Sequence, residues 1–231
     1  MAPPDHDADQ PIAANFAAIG ARIDAAARAA GRDPGTLRLV AVSKLQPADR
    51  VAAALDAGHR LFGENRVQEA KARWPELRTR YDGITLHLIG PLQTNKVKDA
   101  VVLFDMIETV DRPKLARALA AEMDRSGRRP DCLIQVNTGD EPQKAGVAPD
   151  GLGELLRLCV DGCGLPVRGL MCIPPVDDNP ALHYALLADL AGRHGLPVLS
   201  MGMSADFAIA IRHGATLVRV GTALFGARPP R

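Results

Sequence analysis

The sequence predicts a (β/α)8 TIM barrel, in the α/β class, with an extra helix ahead of its first strand. Three observations carry that expectation. Eight short apolar, β-branched runs alternate with helix-like segments, and polar residues collect at or just past the C-terminal ends of those runs. The length, 231 residues, suits one barrel built as a single domain over 1–231.

Taken in order, MAPPDHDADQ (1–10) is polar and acidic and is expected to form a flexible N-terminal tail. Residues 11–30 place Ile12, Phe16, Ile19 and Ile23 at three- and four-residue spacing before Gly31, the pattern of an amphipathic helix. The strand runs are LRLVAVS (37–43), RLFG (60–63), ITLHLIG (84–90), LFDMIETV (103–110), DCLIQVN (131–137), VRGLMCI (167–173), PVLSMGM (197–203) and TLVRVG (216–221). Helical patterns over 48–57, 67–80, 113–126, 152–160, 181–193 and 205–213 fall between them. A doubly wound open sheet shares this alternation, because periodicity does not report closure. The barrel is favoured by Ser43, Lys44, Glu64, Asn65, Gln93, Asn137, Met171, Ser200, Ser204 and Arg219, all at strand C-termini, which share one mouth in a barrel.

Composition narrows the function classes. The formal charge is +1 with both signs interspersed, so no basic face for nucleic acid or anionic lipid is expected. No stretch approaches the ~20 uncharged apolar residues of a membrane span, and the polar start does not read as a signal peptide. A cytoplasmic protein follows as the expectation. Cys132, Cys159, Cys163 and Cys172 lack a Cys-x-x-Cys pair and a histidine at matching spacing, so they read as buried thiols rather than a metal site.

Only six lysines occur, and Lys44 closes the first apolar strand in AVSKLQP (41–47), with Pro47 opening the next helix. An amine partly desolvated there has a depressed pKa and can condense with an aldehyde, although a solvated loop lysine fits the segment taken alone. LSMGMSADF (199–207) and VRVGTALFG (218–226) place glycine and small hydroxyl residues after strands seven and eight, where barrels recurrently build a phosphate cup. Gly202 and Gly221 allow close backbone approach, while Ser200, Ser204 and Thr222 offer hydroxyls; ordinary helix caps are the plainer alternative. Arg219 interrupts an otherwise apolar strand and needs an acceptor if it points inward, such as a ring nitrogen, or a carboxylate between helices if it points outward. His87 within ITLHLIG reads as a satisfied core histidine, and Lys96 with Lys98 as a solvated helix face or a basic lip.

AVSKLQP, FGENRVQE (62–69), HLIGPLQTNK (87–96), QVN followed by KAG (144–146), RGLMCIPP (168–175), LSMGMSADF and TLVRVGTALFG resemble, in the same order, segments of a known family. It is the pyridoxal 5′-phosphate (PLP) homeostasis proteins, the YggS-like family related to the N-terminal barrel of alanine racemase. The resemblance covers roughly 40–226 and implies a barrel like that of fold type III PLP proteins. It further implies a PLP Schiff base on Lys44, Asn65 lining the cofactor pocket, phosphate contacts around Ser200, Met201, Ser204, Gly221 and Thr222, and Arg219 facing the pyridine nitrogen. Leu86 departs from the aromatic residue frequent in the family, which leaves the wall beside His87 open.

The implied function is intracellular PLP homeostasis, in which the cofactor is stored, buffered or delivered with little or no intrinsic catalysis. An arginine is a poor proton source for the ring nitrogen, so the electron sink of PLP enzymes is weakened. The second base of the racemases comes from an additional domain with no counterpart after residue 226, and Tyr81 and Tyr184 fall in helices away from the mouth. The resemblance therefore implies a non-enzymatic, monomeric carrier whose partners are PLP, related B6 vitamers and PLP-dependent apo-enzymes. A PLP-dependent racemase or decarboxylase, and a cofactor-free Schiff-base aldolase, are the alternatives. No catalytic residue and no metal ligand is assigned.

Overall fold

The computed structural model describes residues 11–141 and 143–227; the tail expected over 1–10 lies outside them. Eight parallel strands close into one barrel in chain order. They are β1 (Arg38–Val42), β2 (Leu61–Glu64), β3 (Thr85–Leu88), β4 (Met106–Val110), β5 (Asp131–Gln135), β6 (Val167–Met171), β7 (Val198–Ser200) and β8 (Leu217–Val220). Closure is explicit in the register of β1 on β8, which runs from Arg38 opposite Leu217 to Ala41 opposite Val220. The open-sheet alternative is therefore excluded.

The helices are α1 (Ile12–Ala29), α2 (Ala48–Asp56), α3 (Val67–Arg80), α4 (Val97–Leu103), α5 (Pro113–Ser126), α6 (Leu152–Arg157), α7 (Pro180–Arg193), α8 (Phe207–Arg212) and α9 (Thr222–Phe225). Their ends follow local chemistry. Proline at the first position starts α5, and Gly127 in the left-handed region at φ 72° stops it. Asn179 caps α7 by accepting from the Ala181 N–H. The helix expected over 152–160 ends at Arg157 and widens into a π turn, Leu158–Gly162.

Strand alternation sorts the core into two layers. Phe62, Leu86, Leu88, Ile107, Ile134, Leu170 and Val218 face the helices in the large cluster, whereas Val40, Leu61, Met106, Leu133, Met171 and Leu217 form a small cluster of their own inside the barrel. Observed strands end earlier than the apolar runs of the sequence. The runs to 90, 137, 173 and 203 stop at Leu88, Gln135, Met171 and Ser200, because the chain then leaves the barrel to build the mouth. Ile89, Ile173 and Met203 stay apolar there because they line a pocket.

The extra helix has a mechanical reason. Both α8 and α9 are short, so they leave the β7–β8–β1 seam thinly covered, and α1 lays Ile19, Ile23 and Ala27 across it. Asn15 Nδ2 donates to the Leu224 carbonyl at 3.0 Å, Phe16 packs edge-on against Phe225, and Arg32 donates to the Ile211 and Ala215 carbonyls at 2.8 and 2.7 Å.

Two glycines should respond in opposite senses to alanine. A Cβ on Gly169 in β6 would sit 1.9 Å from the Val198 carbonyl oxygen, whereas one on Gly20 in α1 meets nothing within 4 Å. Gly169→Ala is expected to lower stability by about 3 kcal/mol and Gly20→Ala to raise it by about 0.5–1 kcal/mol, read from denaturant unfolding midpoints.

Candidate functional site

The C-terminal mouth of the barrel holds a pocket of about 170 Å³. Lys44, Asn65, Ser204, Arg219, Gly221 and Thr222 line it together with Val42, Gln46, Ile89, Ile173 and Met203. Six of the eight residues singled out in the sequence thus converge on one cavity. Ser200 and Met201 do not.

Lys44 reaches the pocket because the chain turns sharply as it leaves β1. The Ser43 N–H still donates to the Gly63 carbonyl of β2 at 3.1 Å, and the Gln46 N–H closes a turn onto the Ser43 carbonyl at 3.1 Å. Between them Leu45 takes φ 58°, a left-handed conformation that a branched residue adopts only when its surroundings impose it. Those surroundings come from α3. Arg73 donates to the Ser43 carbonyl at 3.0 Å, to the Gln46 carbonyl at 2.5 Å and to Glu64 Oε1 at 3.0 Å. Glu64 Oε1 also accepts from Ser43 Oγ at 2.8 Å and Trp74 Nε1 at 3.1 Å. Burial pushes the Glu64 carboxyl up against the opposing pull of Arg73, Ser43 and Trp74. Ser43 and Glu64 therefore face outward into the helix layer and clamp the lysine turn from behind, a correction to their reading as mouth residues.

Arg219 points inward, 4% exposed. Nη2 donates to the Cys172 carbonyl at 2.8 Å and Nη1 to Ser200 Oγ at 2.7 Å. Ser200 Oγ in turn donates to Glu108 Oε2 at 2.5 Å, and Glu108 Oε1 lies 2.7 Å from His87 Nδ1. Four strands thus contribute to one buried chain, His87–Glu108–Ser200–Arg219. Burial pushes the Glu108 carboxyl up, but the His87 hydrogen bond and charge, the Arg219 charge and the Ser200 hydrogen bond together outweigh it and hold the carboxyl below its ordinary value. A serine hydroxyl has one hydrogen, and Ser200 commits it to Glu108. The Met201 N–H is likewise occupied by the Leu217 carbonyl at 3.1 Å. Ser200 and Met201 therefore build the floor beneath the pocket, while Ser204, Gly221 and Thr222 form its wall.

Asn65 follows β2, and its Oδ1 is buried without a hydrogen-bond partner among the described residues. A Cβ on Gly90 would fall 2.2 Å from the Asn65 carbonyl oxygen, so glycine is what lets the β3 loop pass this residue. Lys96 is half-buried beside the outer side of Asn65 and Lys98 is exposed on α4. Tyr81 donates to Asp56 Oδ1 at 2.7 Å at the opposite end of the barrel. Tyr184 is buried on α7, where burial raises its phenol, and it does not line the pocket. Three cysteines are buried and Cys163 is half-buried; burial raises the Cys159 and Cys172 thiols to about 12. Among the described residues no helix is long and apolar enough to cross a membrane.

Sequence reasoning missed Glu108 and the apolar residues Ile89, Ile173 and Met203. The signal for Glu108 was available, since a carboxylate in MIETV (106–110) is a charge inside a strand buried on both faces, as Arg219 is in β8.

An amine, a wall of hydroxyls and glycines, and an inward arginine at the mouth of one closed barrel define a lysine-bearing barrel of the alanine racemase type, and the family described as alanine racemase, N-terminal domain, matches residues 14–229. The chain belongs to the family of pyridoxal phosphate homeostasis proteins. The protein of that name from Pseudomonas aeruginosa is 46% identical over 225 residues, 94% of this chain and 96% of the relative. The one from Escherichia coli K12 is 39% identical over 228 residues, 94% and 97%. PipY from Synechococcus elongatus, solved with PLP bound, is 37% identical, covers 93% of this chain and 100% of its own, and superposes with a TM-score of 0.81. An alanine racemase of Clostridium difficile, at 16% identity, 84% of this chain, 53% of its own and a TM-score of 0.67, shares the fold alone.

The floor and the wall make separable predictions. Ser200→Ala leaves buried partners unsatisfied and should cost about 1–3 kcal/mol of stability, whereas Thr222→Ala at the exposed wall should leave stability within about 0.5 kcal/mol, both read by denaturant unfolding. Because folding lowers the Glu108 pKa, its contribution is complete above the ordinary glutamate value and is lost as pH falls through the folded value. Glu108→Gln should therefore flatten the acid limb of the stability–pH profile.

Proposed function

We propose that the chain, as one PLP-binding barrel over 1–231, holds PLP on Lys44 and serves intracellular PLP homeostasis by storing, buffering or delivering the cofactor. The observation that carries this reading is the convergence of Lys44, Arg219 and the Ser204–Gly221–Thr222 wall on one pocket of a family whose relatives bear that name. The pocket also passes a test of fit. Asn65 Oδ1 is a buried acceptor with no partner among the described residues, and both glycyl backbone and hydroxyls stand where a phosphate needs close approach.

When bound, PLP supplies an aldehyde carbon that condenses with primary amines and a ring that accepts electrons. The Lys44 amine is half-buried at the mouth and is the nucleophile for that aldehyde. Ser204 and Thr222 hydroxyls bind the phosphate, with Gly221 leaving room. Arg219, a donor with no acceptor capacity, orients the ring through a hydrogen bond to its nitrogen without delivering a proton. Among the described residues that line the pocket, Lys44 and Arg219 alone carry titratable side chains, so proton abstraction finds no paired base among them. That supports a carrier with little or no catalysis. The reading extends to a cytoplasmic monomer whose partners are B6 vitamers and PLP-dependent apo-enzymes that receive the cofactor.

Purified protein mixed with PLP should gain an absorbance band near the visible edge, and borohydride followed by peptide mass spectrometry should place the label on Lys44. Lys44→Ala should lose both while keeping its circular dichroism; a label retained on another lysine would refute the assignment. Ser204→Ala combined with Thr222→Val should weaken PLP at least about tenfold more than pyridoxal, because only the phosphate makes charge-assisted hydrogen bonds to these hydroxyls. Equal weakening would move the phosphate elsewhere. With single enantiomers of alanine, serine and lysine in deuterated water, α-proton exchange should stay slow and substoichiometric. Multiple turnovers abolished by Lys44→Ala would instead establish a PLP-dependent racemase.

A further inference from the structure

The buried chain below the pocket does more than fill the barrel. A guanidinium held away from water needs compensation, and the group nearest in hydrogen-bonded connection is Glu108, reached through Ser200. An apolar side chain at 108 would fill the same volume, as Met106, Leu133 and Leu217 do one layer below. The carboxylate instead brings a matching histidine and serine into an otherwise apolar interior, where well-packed apolar residues commonly give equal or greater stability.

We propose that Glu108 is a positioning residue: through Ser200 it fixes the orientation of Arg219, and its charge sets the pH range over which Lys44 keeps a bound carbonyl ligand. The proposal rests on the reading that Lys44 carries PLP. His87 on β3 and Ser200 on β7 contact Glu108 directly, and Arg219 on β8 reaches it through Ser200 and by its charge. The Cys172 thiol and the Tyr184 phenol lie within electrostatic reach of Arg219, and Asp206 within reach of both the thiol and the phenol. Behind the Lys44 turn stand Arg73 and Glu64, an ion pair that offsets itself. Arg219 lines the same pocket as Lys44 and brings a positive charge to it. Its positive field disfavours any protonated nitrogen on Lys44, and the Glu108 carboxylate offsets that field. Glu108 also keeps its charge at neutral pH, because its partners hold the carboxyl low.

The sign follows. Removing the negative charge leaves Arg219 uncompensated, so the protonated nitrogen is less favoured and the visible band must fade at lower pH. A unit charge across a barrel interior shifts such a midpoint by on the order of one pH unit.

The test is a pH titration of the visible band of PLP-loaded protein. Glu108→Gln should lower the midpoint by about one unit and Glu108→Asp, which keeps the charge, should restore it to within about 0.3 unit. Asp105→Asn removes another arginine-paired carboxylate, bonded to Arg78 at 2.6 Å at the far end of β4, and should leave the midpoint unmoved. If Glu108→Gln alone fails to fold, the same step is read on an Arg219→Gln background, where the buried charge it would strand is absent. Arg219→Gln should raise the midpoint, and adding Glu108→Gln should bring it back down by about one unit. Folded Glu108→Gln protein whose midpoint stays within about 0.3 unit of its parent, in either background, would overturn the proposal. Wild-type protein that gains no band with PLP would instead refute the reading on which it rests.

Discussion

A charged guanidinium in the interior of a closed parallel barrel is the constraint around which the upper half of this molecule is arranged. Arg219 is almost wholly buried, so protein groups must meet its donors and balance its charge: β3, β4 and β7 each give up an apolar inward position, to His87, Glu108 and Ser200, and the β6 loop bends its Cys172 carbonyl inward. The layer below keeps its apolar filling of Val40, Leu61, Met106, Leu133, Met171 and Leu217. The barrel thus divides along its axis into a part that holds the fold and a part that holds an arginine at a set height.

The opposite wall of the pocket is held by different means. Lys44 sits in a turn whose carbonyls at Ser43 and Gln46 are both gripped by Arg73, and Arg73 is itself anchored by Glu64, with Trp74 sharing the same oxygen. One polar cluster works inside the barrel and the other between barrel and helices. Each fixes one side of the cavity, so the separation of amine and guanidinium depends on rigid elements rather than on loop residues alone.

The barrel, the opening helix and the convergence of Lys44, Asn65, Ser204, Arg219, Gly221 and Thr222 were legible in the sequence because strand C-termini share one mouth in this architecture. What escaped was the direction of side chains at those ends. Ser43 and Glu64 occupy mouth positions in sequence, yet strand alternation turns both toward the helices. Ser200 sits where a phosphate donor is expected, but its hydroxyl is drawn inward by a carboxylate on β4, and no local pattern around residue 200 announces a partner at residue 108. Long-range pairing of this kind is invisible to periodicity. The apolar tails of the strand runs misled in the other direction, since Ile89, Ile173 and Met203 are apolar for the pocket's sake and not for the sheet's.

The packing of α1 over the β7–β8–β1 seam has a consequence for the order of events during synthesis. The helix is made long before α8 and α9, yet its apolar face packs against them, and Asn15 finds its acceptor only at Leu224. Until β8, α8 and α9 have been made, Ile19, Ile23 and Phe16 have no seam to cover, and β1, which bears the lysine turn, has only β2 at its side. A chain of this topology is committed to late, non-local assembly. A chain cut before β8 has Lys44 without Arg219, Gly221 or Thr222 beside it, so the pocket itself comes into being only when the β7–β8–β1 seam closes.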